Sequence, residues 1–105
     1  MRGDVYRLRA DRNARGHEQK GDRYAIIVHA DYINLSTWIV VPTSTKAGIS
    51  TVRPQVSFGD EVTFALTDQI MTIDPEKRIG NFVGRISYQG MMDIDNGIKE
   101  MLGFI

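Results

Sequence analysis

Two stretches of the sequence decide the fold, Tyr24–His29 (YAIIVH) and Thr37–Thr43 (TWIVVPT). Both are rich in β-branched residues and almost continuously apolar, which is typical of β-strands. An antiparallel strand with one face in water alternates apolar and polar side chains, and neither stretch alternates. We therefore expect two strands that are covered on both faces, on one by the core and on the other by a helix or a second subunit.

Further segments with the composition of strands lie on either side of this pair. The segments predicted as strands are Asp4–Leu8, Thr51–Phe58, Glu61–Ala65, Ile70–Ile73 and Gly80–Ile86. Pro54 favours an edge position or the start of its strand, because proline cannot donate a backbone hydrogen bond. The run Arg9–Gly21 contains alanine as its only apolar residue type. It predicts a long polar loop, and such loops often carry function.

The C-terminal part of the chain changes to helical periodicity. Its apolar residues are spaced three, four and three positions apart, at Met91, Ile94, Ile98 and Met101. This spacing predicts an amphipathic helix, which Ser87 caps at its start and Gly103 ends. Many short strands followed by one helix predict a mainly β fold, a small curled barrel with an appended C-terminal helix.

The composition limits the class of protein. The chain has 105 residues, with 13 basic and 13 acidic side chains and no cysteine. The length fits one domain over residues 1–105. Without cysteine, a disulfide framework, a thiol nucleophile and a cysteine-ligated zinc site are excluded. No apolar run approaches the ~18 residues of a membrane span, and no signal peptide follows Met1. We therefore expect a cytoplasmic protein without membrane partners.

Positive charge is concentrated near the N-terminus. Residues 1–23 carry seven basic and four acidic side chains, whereas residues 24–105 carry six basic and nine acidic ones. A basic segment of this kind can attract a polyanion, although a solvated loop with internal salt bridges has the same composition. Charge alone leaves both interpretations open.

A group of polar residues is expected to meet at one end of the sheet. If the two central stretches pair as an antiparallel hairpin, Arg23 lies roughly opposite Thr43, the first residue of the hydroxyl run Thr43–Thr45. The polar loop that contains Glu18 and Gln19 ends there as well. A guanidinium can hold a phosphate with two hydrogen bonds, and hydroxyls can donate to its remaining oxygens. The spacing thus indicates a phosphate site at the mouth of the barrel.

A simpler interpretation pairs Arg23 with Asp22 or Glu18 and treats the hydroxyl run as an ordinary turn. No phosphate-binding glycine loop, zinc-protease motif or nucleophilic serine elbow occurs in the sequence. The histidines are His17 and His29, and His29 ends a strand, so we expect it at the surface or in an interface rather than in catalysis. Metal ligands are too few for a credible metal site.

Several segments, taken in order, resemble the signature of a known family. They are Arg2–Tyr6, Gly16–Arg23, Val41–Thr45, Ala65–Ile70 and Gly84–Ile86. The second of them, GHEQKGDR, is similar to the family's Gly-Ser-Glu-Gln-x-Gly-x-Arg-Pro motif, and the fourth, ALTDQI, to its Ala-Leu-x-Asp-Gln motif. The chain thus resembles the MazF/PemK family of toxin endoribonucleases over essentially its whole length.

The resemblance implies a fold, an activity and partners. The fold would be an SH3-like barrel of the MazF/CcdB type that forms a homodimer. The activity would be metal-independent, sequence-specific cleavage of single-stranded messenger, ribosomal or transfer RNA through attack by the ribose 2′-hydroxyl, which inhibits translation and growth. No cofactor is implied. The partner would be a cognate antitoxin whose acidic, disordered tail occupies the RNA groove.

The resemblance also assigns site residues. The family's essential arginine corresponds to Arg23, its catalytic threonine to Ser44 and its loop glutamate to Glu18. RNA-binding positions are expected at His17, Gln19, Thr43, Thr45, Lys46, Asp68 and Gln69. Serine keeps the threonine hydroxyl and loses the methyl group that restricts its rotamer, and Thr45 stays an alternative for the catalytic hydroxyl. The general base is open between Glu18 and His17.

Two other functions fit the same fold. Toxins with this barrel include proteins that bind DNA gyrase through the tip of the C-terminal helix and cut nothing. A non-catalytic, SH3-like interaction module would instead bind a peptide through its aromatic side chains, here Tyr6, Tyr24, Tyr32 and Trp38. Fold alone does not choose among these functions, whereas a test for RNA cleavage does.

Overall fold

The strands and the C-terminal helix follow the order that the sequence predicts, and two short helices that it did not predict lie between the later strands. The computed structural model describes residues 1–10 and 23–104, so most of the predicted loop Arg9–Gly21 lies outside the described residues. The described strands are β1 (Asp4–Leu8), β2 (Arg23–Ile27), β3 (Trp38–Ser44), β4 (Gln55–Phe58), β5 (Glu61–Ala65), β6 (Met71–Ile73) and β7 (Ile79–Arg85). The described helices are a 3₁₀ helix (Thr67–Gln69), α1 (Pro75–Arg78) and α2 (Tyr88–Leu102). The prediction of a mainly β fold that ends in a helix is confirmed.

Strand β3 is the centre of the sheet because it pairs with three other strands. Its first half pairs with β6, through Trp38 opposite Ile73, and its last residues pair with β5, through Ser44 opposite Phe64. It also pairs with β2, and the antiparallel order continues from β2 to β1 and β7. Since β5 and β6 pair with different parts of β3, the sheet bends into a half-barrel.

Apolar residues on the two faces of the sheet form two separate cores. The larger core packs against α2 and contains Val5, Ile26, Val28, Val41, Val56, Phe58, Ala65, Ile86 and Ile94. The smaller core contains Leu8, Ala25, Ile27, Val40 and Ile73. Successive residues of β2 therefore face opposite cores, which explains the unbroken apolar pattern of this strand. Both faces of β2 are therefore covered, as expected: α2 packs against the larger core on one face, and the smaller core lies on the other.

The strand predicted over Thr51–Phe58 begins only at Gln55. A turn replaces its first part, because Ser50 and Arg53 exchange two backbone hydrogen bonds of 3.3 and 3.1 Å. Pro54 follows this turn and has no N–H to donate to a neighbouring strand. The predicted boundary is wrong because β-type composition continues through a segment whose backbone hydrogen bonds close a local turn.

Helix α2 has the cap residues that the sequence predicts. The Ser87 hydroxyl accepts a hydrogen bond of 3.1 Å from the N–H of Gly90, and Gly103 ends the helix with a φ of 77°. In the predicted apolar stripe, Ile94 is fully buried, whereas Met101 is 42% exposed. The packed part of the helix therefore ends before its last turn.

Gly97 brings α2 into close contact with the rest of the chain. A Cβ at this position would lie 3.0 Å from the carbonyl oxygen of Thr51 and 3.1 Å from the side chain of Thr67. Alanine gains up to about 1 kcal/mol of helix propensity over glycine, but overpacking costs about 1–3 kcal/mol. We expect Gly97→Ala to lower the free energy of unfolding by about 1 kcal/mol in urea denaturation.

The matched control for this substitution is Gly48→Ala, because nothing lies within 4 Å of the Cβ that it adds. We expect Gly48→Ala to change the free energy of unfolding by less than about 0.5 kcal/mol, as at other surface sites. A Gly97→Ala variant that is as stable as the wild type would contradict the tight packing of α2.

Candidate active site

The hairpin of β2 and β3 decides which residues meet at the end of the sheet. Ala25 pairs with Pro42, and extending this register by two residues places Arg23 opposite Ser44. The expected position of Arg23, roughly opposite Thr43, agrees with this extended register to within one residue. The difference matters because side chains directly opposite each other share a face of the sheet. In this extended register Arg23 and Ser44 share a face, and both line one pocket.

A pocket of about 250 Å³ lies at this end of the sheet. Its described lining residues are Arg7, Arg23, Tyr24, Thr43, Ser44, Thr45 and Lys46. They comprise three cations and three aliphatic hydroxyls, and none of the described lining residues is a carboxylate. The pocket therefore offers the donors and the positive charge that a phosphate group requires. The predicted arginine, the hydroxyl run and the lysine that follows it all meet here.

Ser44 is the hydroxyl with the most defined setting in this pocket. Its side-chain oxygen accepts a hydrogen bond of 3.2 Å from the backbone N–H of Lys46, and the residue is only 9% exposed. Thr43 is 1% exposed, whereas Thr45 is exposed to solvent. Because a hydroxyl can accept one hydrogen bond and donate another, Ser44 can still donate its proton to a substrate oxygen.

Arg7 is a pocket residue that the sequence reasoning missed. It lies on β1 opposite Tyr24 of β2, and its guanidinium carbon is 5.8 Å from the centroid of the Tyr24 ring, within the range of a cation–π contact. The only sequence signal for Arg7 is its place among the N-terminal basic residues. Its position became predictable only with the register of β1 against β2.

Asp68 and Gln69 belong to the 3₁₀ helix and are not among the described residues that line the pocket. The Asp68 carboxylate accepts two hydrogen bonds from Arg53, of 3.0 Å from Nε and 2.7 Å from Nη2. These hydrogen bonds hold the pKa of Asp68 below its ordinary value and raise the pKa of Arg53. Sequence reasoning missed Arg53, since no local pattern links it to a carboxylate that lies 15 positions further along the chain.

Three predicted site residues, His17, Glu18 and Gln19, lie outside the described residues. Their assignment to the site therefore stays a prediction, as does the alternative in which Asp22 or Glu18 pairs with Arg23.

His29 lies beyond the end of β2 that is opposite to Arg23. Its Nδ1 is 3.1 Å from the backbone oxygen of Ala30, and among the described residues its Nε2 is buried without a hydrogen-bond partner. The structure thus separates His29 from the basic pocket.

Metal sites and membrane spans were sought in the described part of the chain. Within residues 1–10 and 23–104, no group of three or more histidine or acidic residues is placed to hold a metal ion. None of the helices in these ranges is both long and apolar enough to cross a lipid bilayer.

Known proteins match this chain along nearly its whole length. Residues 1–102 match the family of PemK-like, MazF-like toxins of type II toxin–antitoxin systems. A candidate toxin of Mycobacterium tuberculosis is 35% identical over 103 residues, which are 98% of this chain and 97% of that protein. The chain therefore belongs to the PemK-like, MazF-like family of toxins.

Solved structures share the fold. A mycobacterial endoribonuclease in complex with its cognate antitoxin has a TM-score of 0.82 at 19% identity, with 100% of this chain and 96% of that chain covered. MazF from Deinococcus radiodurans has a TM-score of 0.81 at 18% identity, with 97% and 94% covered. These likenesses confirm the predicted MazF-type half-barrel with its C-terminal helix.

Proposed function

We propose that this toxin is an endoribonuclease that cleaves single-stranded RNA at specific short sequences and needs no metal ion. The observation that carries the proposal is the presence of Arg23, Ser44 and Lys46 around one pocket at the end of the sheet. Membership of the toxin family supports it, as do structural neighbours that are named endoribonucleases.

The proposed reaction uses a nucleophile that the RNA itself supplies. The ribose 2′-hydroxyl attacks the adjacent phosphorus and gives its proton to a base. The bond between phosphorus and the 5′-oxygen breaks, and that oxygen takes up a proton. The products are a 2′,3′-cyclic phosphate and a free 5′-hydroxyl. Negative charge grows on the phosphate during attack, and one well-placed donor to such charge is worth about 3–4 kcal/mol.

The pocket residues supply the charge and the hydrogen bonds of this reaction. Arg23 holds the non-bridging oxygens of the scissile phosphate with its planar guanidinium. Ser44 donates its hydroxyl proton to one of these oxygens. Glu18 or His17 removes the 2′ proton, since a guanidinium keeps its own proton and is a poor base.

RNA on either side of the scissile phosphate contacts polar residues around the pocket. The proposed contacts come from His17, Gln19, Thr43, Thr45, Lys46 and Gln69. Lys46 and Thr45 are exposed, so they can reach neighbouring phosphates. Sequence specificity then depends on side chains that read bases splayed out from the single strand.

The proposed biological setting is a toxin–antitoxin pair in the cytoplasm. Cleavage of messenger, ribosomal or transfer RNA inhibits translation and growth, and a cognate antitoxin covers the basic pocket with an acidic, disordered tail. Residues 1–105 act as one domain of a homodimer. Tyr6 packs against Trp38 and Phe82 with centroid distances of 5.4 and 5.6 Å, and Phe82 is 54% exposed. A half-exposed aromatic cluster favours burial between two copies.

The test of this proposal is the digestion of a defined transcript in the presence of EDTA. We expect cleavage at a small set of sequences, with a 2′,3′-cyclic phosphate on one product and a 5′-hydroxyl on the other. An oligonucleotide with a single 2′-deoxy nucleotide at the cleaved position is the matched control, and it should bind and stay intact. Cleavage of that control, or products with a 5′-phosphate, would contradict the mechanism. An intact transcript combined with tight binding of gyrase or a peptide would favour the other two functions.

A further inference from the structure

An ion pair outside the pocket joins the end of the connection between β3 and β4 to the 3₁₀ helix. The Nε and Nη2 atoms of Arg53 donate to the two carboxylate oxygens of Asp68, at 3.0 and 2.7 Å. The side chains of Arg53 and Asp68 are 35% and 25% exposed. Two parallel hydrogen bonds fix the relative orientation of the two groups, which a single-point lysine contact cannot do.

Backbone contacts join the same two segments. The N–H of Thr67 donates to the carbonyl oxygen of Val52 at 3.2 Å, and the Thr67 hydroxyl donates to the same oxygen. The N–H of Ala65 donates to the carbonyl oxygen of Pro54 at 2.9 Å. The end of the connection is therefore docked on the 3₁₀ helix and on the residues just before it.

The start of the connection carries the proposed catalytic hydroxyl. Ser44 is the last residue of β3 and pairs with Phe64 of β5. Its hydroxyl oxygen accepts a hydrogen bond from the backbone N–H of Lys46. Residues 45–54 thus run from the pocket to the Arg53–Asp68 pair. Both ends of this segment contact the same stretch of chain, Ser44 through its pairing with Phe64 and Arg53 through Asp68.

We propose that Arg53 and Asp68 are positioning residues, whose ion pair fixes residues 45–54 and thereby holds Ser44 and Lys46 in register with Arg23. This inference rests on the proposed nuclease function, and it assigns to Asp68 a role in place of the expected RNA contact. Its carboxylate is engaged by Arg53, and a carboxylate repels the phosphates of an RNA strand.

The kinetic test uses Arg53→Ala, Asp68→Ala and the double variant. Misplacement of a reacting group by about 1 Å costs about 100-fold in rate, so we expect each single variant to lower kcat by about tenfold to 100-fold. The KM should change less than kcat, because Arg23, the cation that holds the scissile phosphate, is untouched. The double variant should lose no more than the worse single variant. Arg53→Lys, which keeps the charge but not the paired hydrogen bonds, should fall between wild type and Arg53→Ala.

A matched control is Arg85→Ala. It removes another arginine–aspartate pair, with Asp4 at 2.6 Å, in which neither residue lines the pocket. We expect its kcat to equal that of the wild type. If Asp68→Ala loses activity while Arg53→Ala keeps it, Asp68 acts on the RNA by itself and the proposal is overturned. Equal losses in Arg85→Ala would also overturn it, because they would reflect general destabilisation.

A second measurement does not depend on RNA cleavage. In Arg53→Ala the Lys46 amide, which donates to Ser44, should exchange its hydrogen at least about tenfold faster than in the wild type. Amides of β1 and β2 should keep their rates. Faster exchange in a protein that cuts no RNA would support the positioning role of the Arg53–Asp68 pair and refute the nuclease function. Unchanged exchange and unchanged kcat in a protein that cuts RNA would refute only the positioning role of the Arg53–Asp68 pair.

Discussion

Replacing Arg23 by alanine is expected to lower the rate of RNA cleavage by about 1,000-fold or more, since even one neutral donor to a developing oxyanion is worth about 100- to 1,000-fold. Arg23 begins β2 and belongs to neither apolar core, so the fold should persist. The measurement is the single-turnover rate on a short oligonucleotide, with thermal unfolding followed by circular dichroism.

Two further arginine variants make this result interpretable. Arg23→Lys keeps the charge but loses the planar, two-pronged donor, and we expect it to recover only a small part of the rate. Arg85→Ala removes the same charge from a residue outside the pocket, and should cut RNA at the wild-type rate. An Arg23→Ala variant that turns over like the wild type would remove Arg23 from the reaction.

Replacing Ser44 by alanine is expected to lower the cleavage rate by about 100-fold, the typical cost of losing one donor to a developing oxyanion. Ser44 is 9% exposed, and its oxygen is oriented by the N–H of Lys46. The Ser44 hydroxyl is therefore already oriented before RNA binds, so that binding costs little further side-chain entropy. The same single-turnover assay measures the loss, and Ser44→Thr should retain most of the activity because it keeps the hydroxyl.

Thr45→Ala is the matched control for the Ser44 variants. Thr45 is adjacent and lines the same pocket, but it is solvent-exposed, so we expect a loss of less than about tenfold from a contact that water can replace. If Thr45→Ala loses 100-fold and Ser44→Ala does not, the catalytic hydroxyl belongs to Thr45 instead.

Local sequence patterns predicted those parts of the fold that local physics controls. The β-branched runs became β2 and β3, and the spacing of Ile94 with its apolar neighbours gave α2 between Ser87 and Gly103. Periodicity and capping depend only on residues a few positions apart, so a single sequence contains them. The same reasoning fails for Met101, whose exposure depends on where the packed surface ends.

The register of the hairpin needed more than local information. The spacing of the two stretches placed Arg23 near the hydroxyl run, and extending the observed register by two residues beyond Ala25 and Pro42 brings Ser44 rather than Thr43 opposite it. A shift of one residue changes which side chains share a face, and loop geometry and core packing decide it. The sequence thus predicted where the polar residues meet, and the structure gives the register and the pocket in which they do so.

Long-range contacts account for what the sequence could not predict. Arg53 meets Asp68, and Arg7 reaches the pocket, only after the sheet has bent and paired its strands. No spacing rule connects such residues in advance. The roles of Glu18 and His17 remain predictions from the resemblance, because both lie outside the described residues.

A double-mutant cycle on the single-turnover cleavage rate tests whether Arg23 and Ser44 bind the same phosphate. The four proteins are the wild type, Arg23→Ala, Ser44→Ala and the double variant, all assayed on the same oligonucleotide. If both side chains hold the same phosphate, the double variant loses little more than Arg23→Ala alone, because groups that act as a unit are strongly non-additive. Losses that multiply fully would mean that the two side chains act at separate places, and would contradict the shared phosphate site.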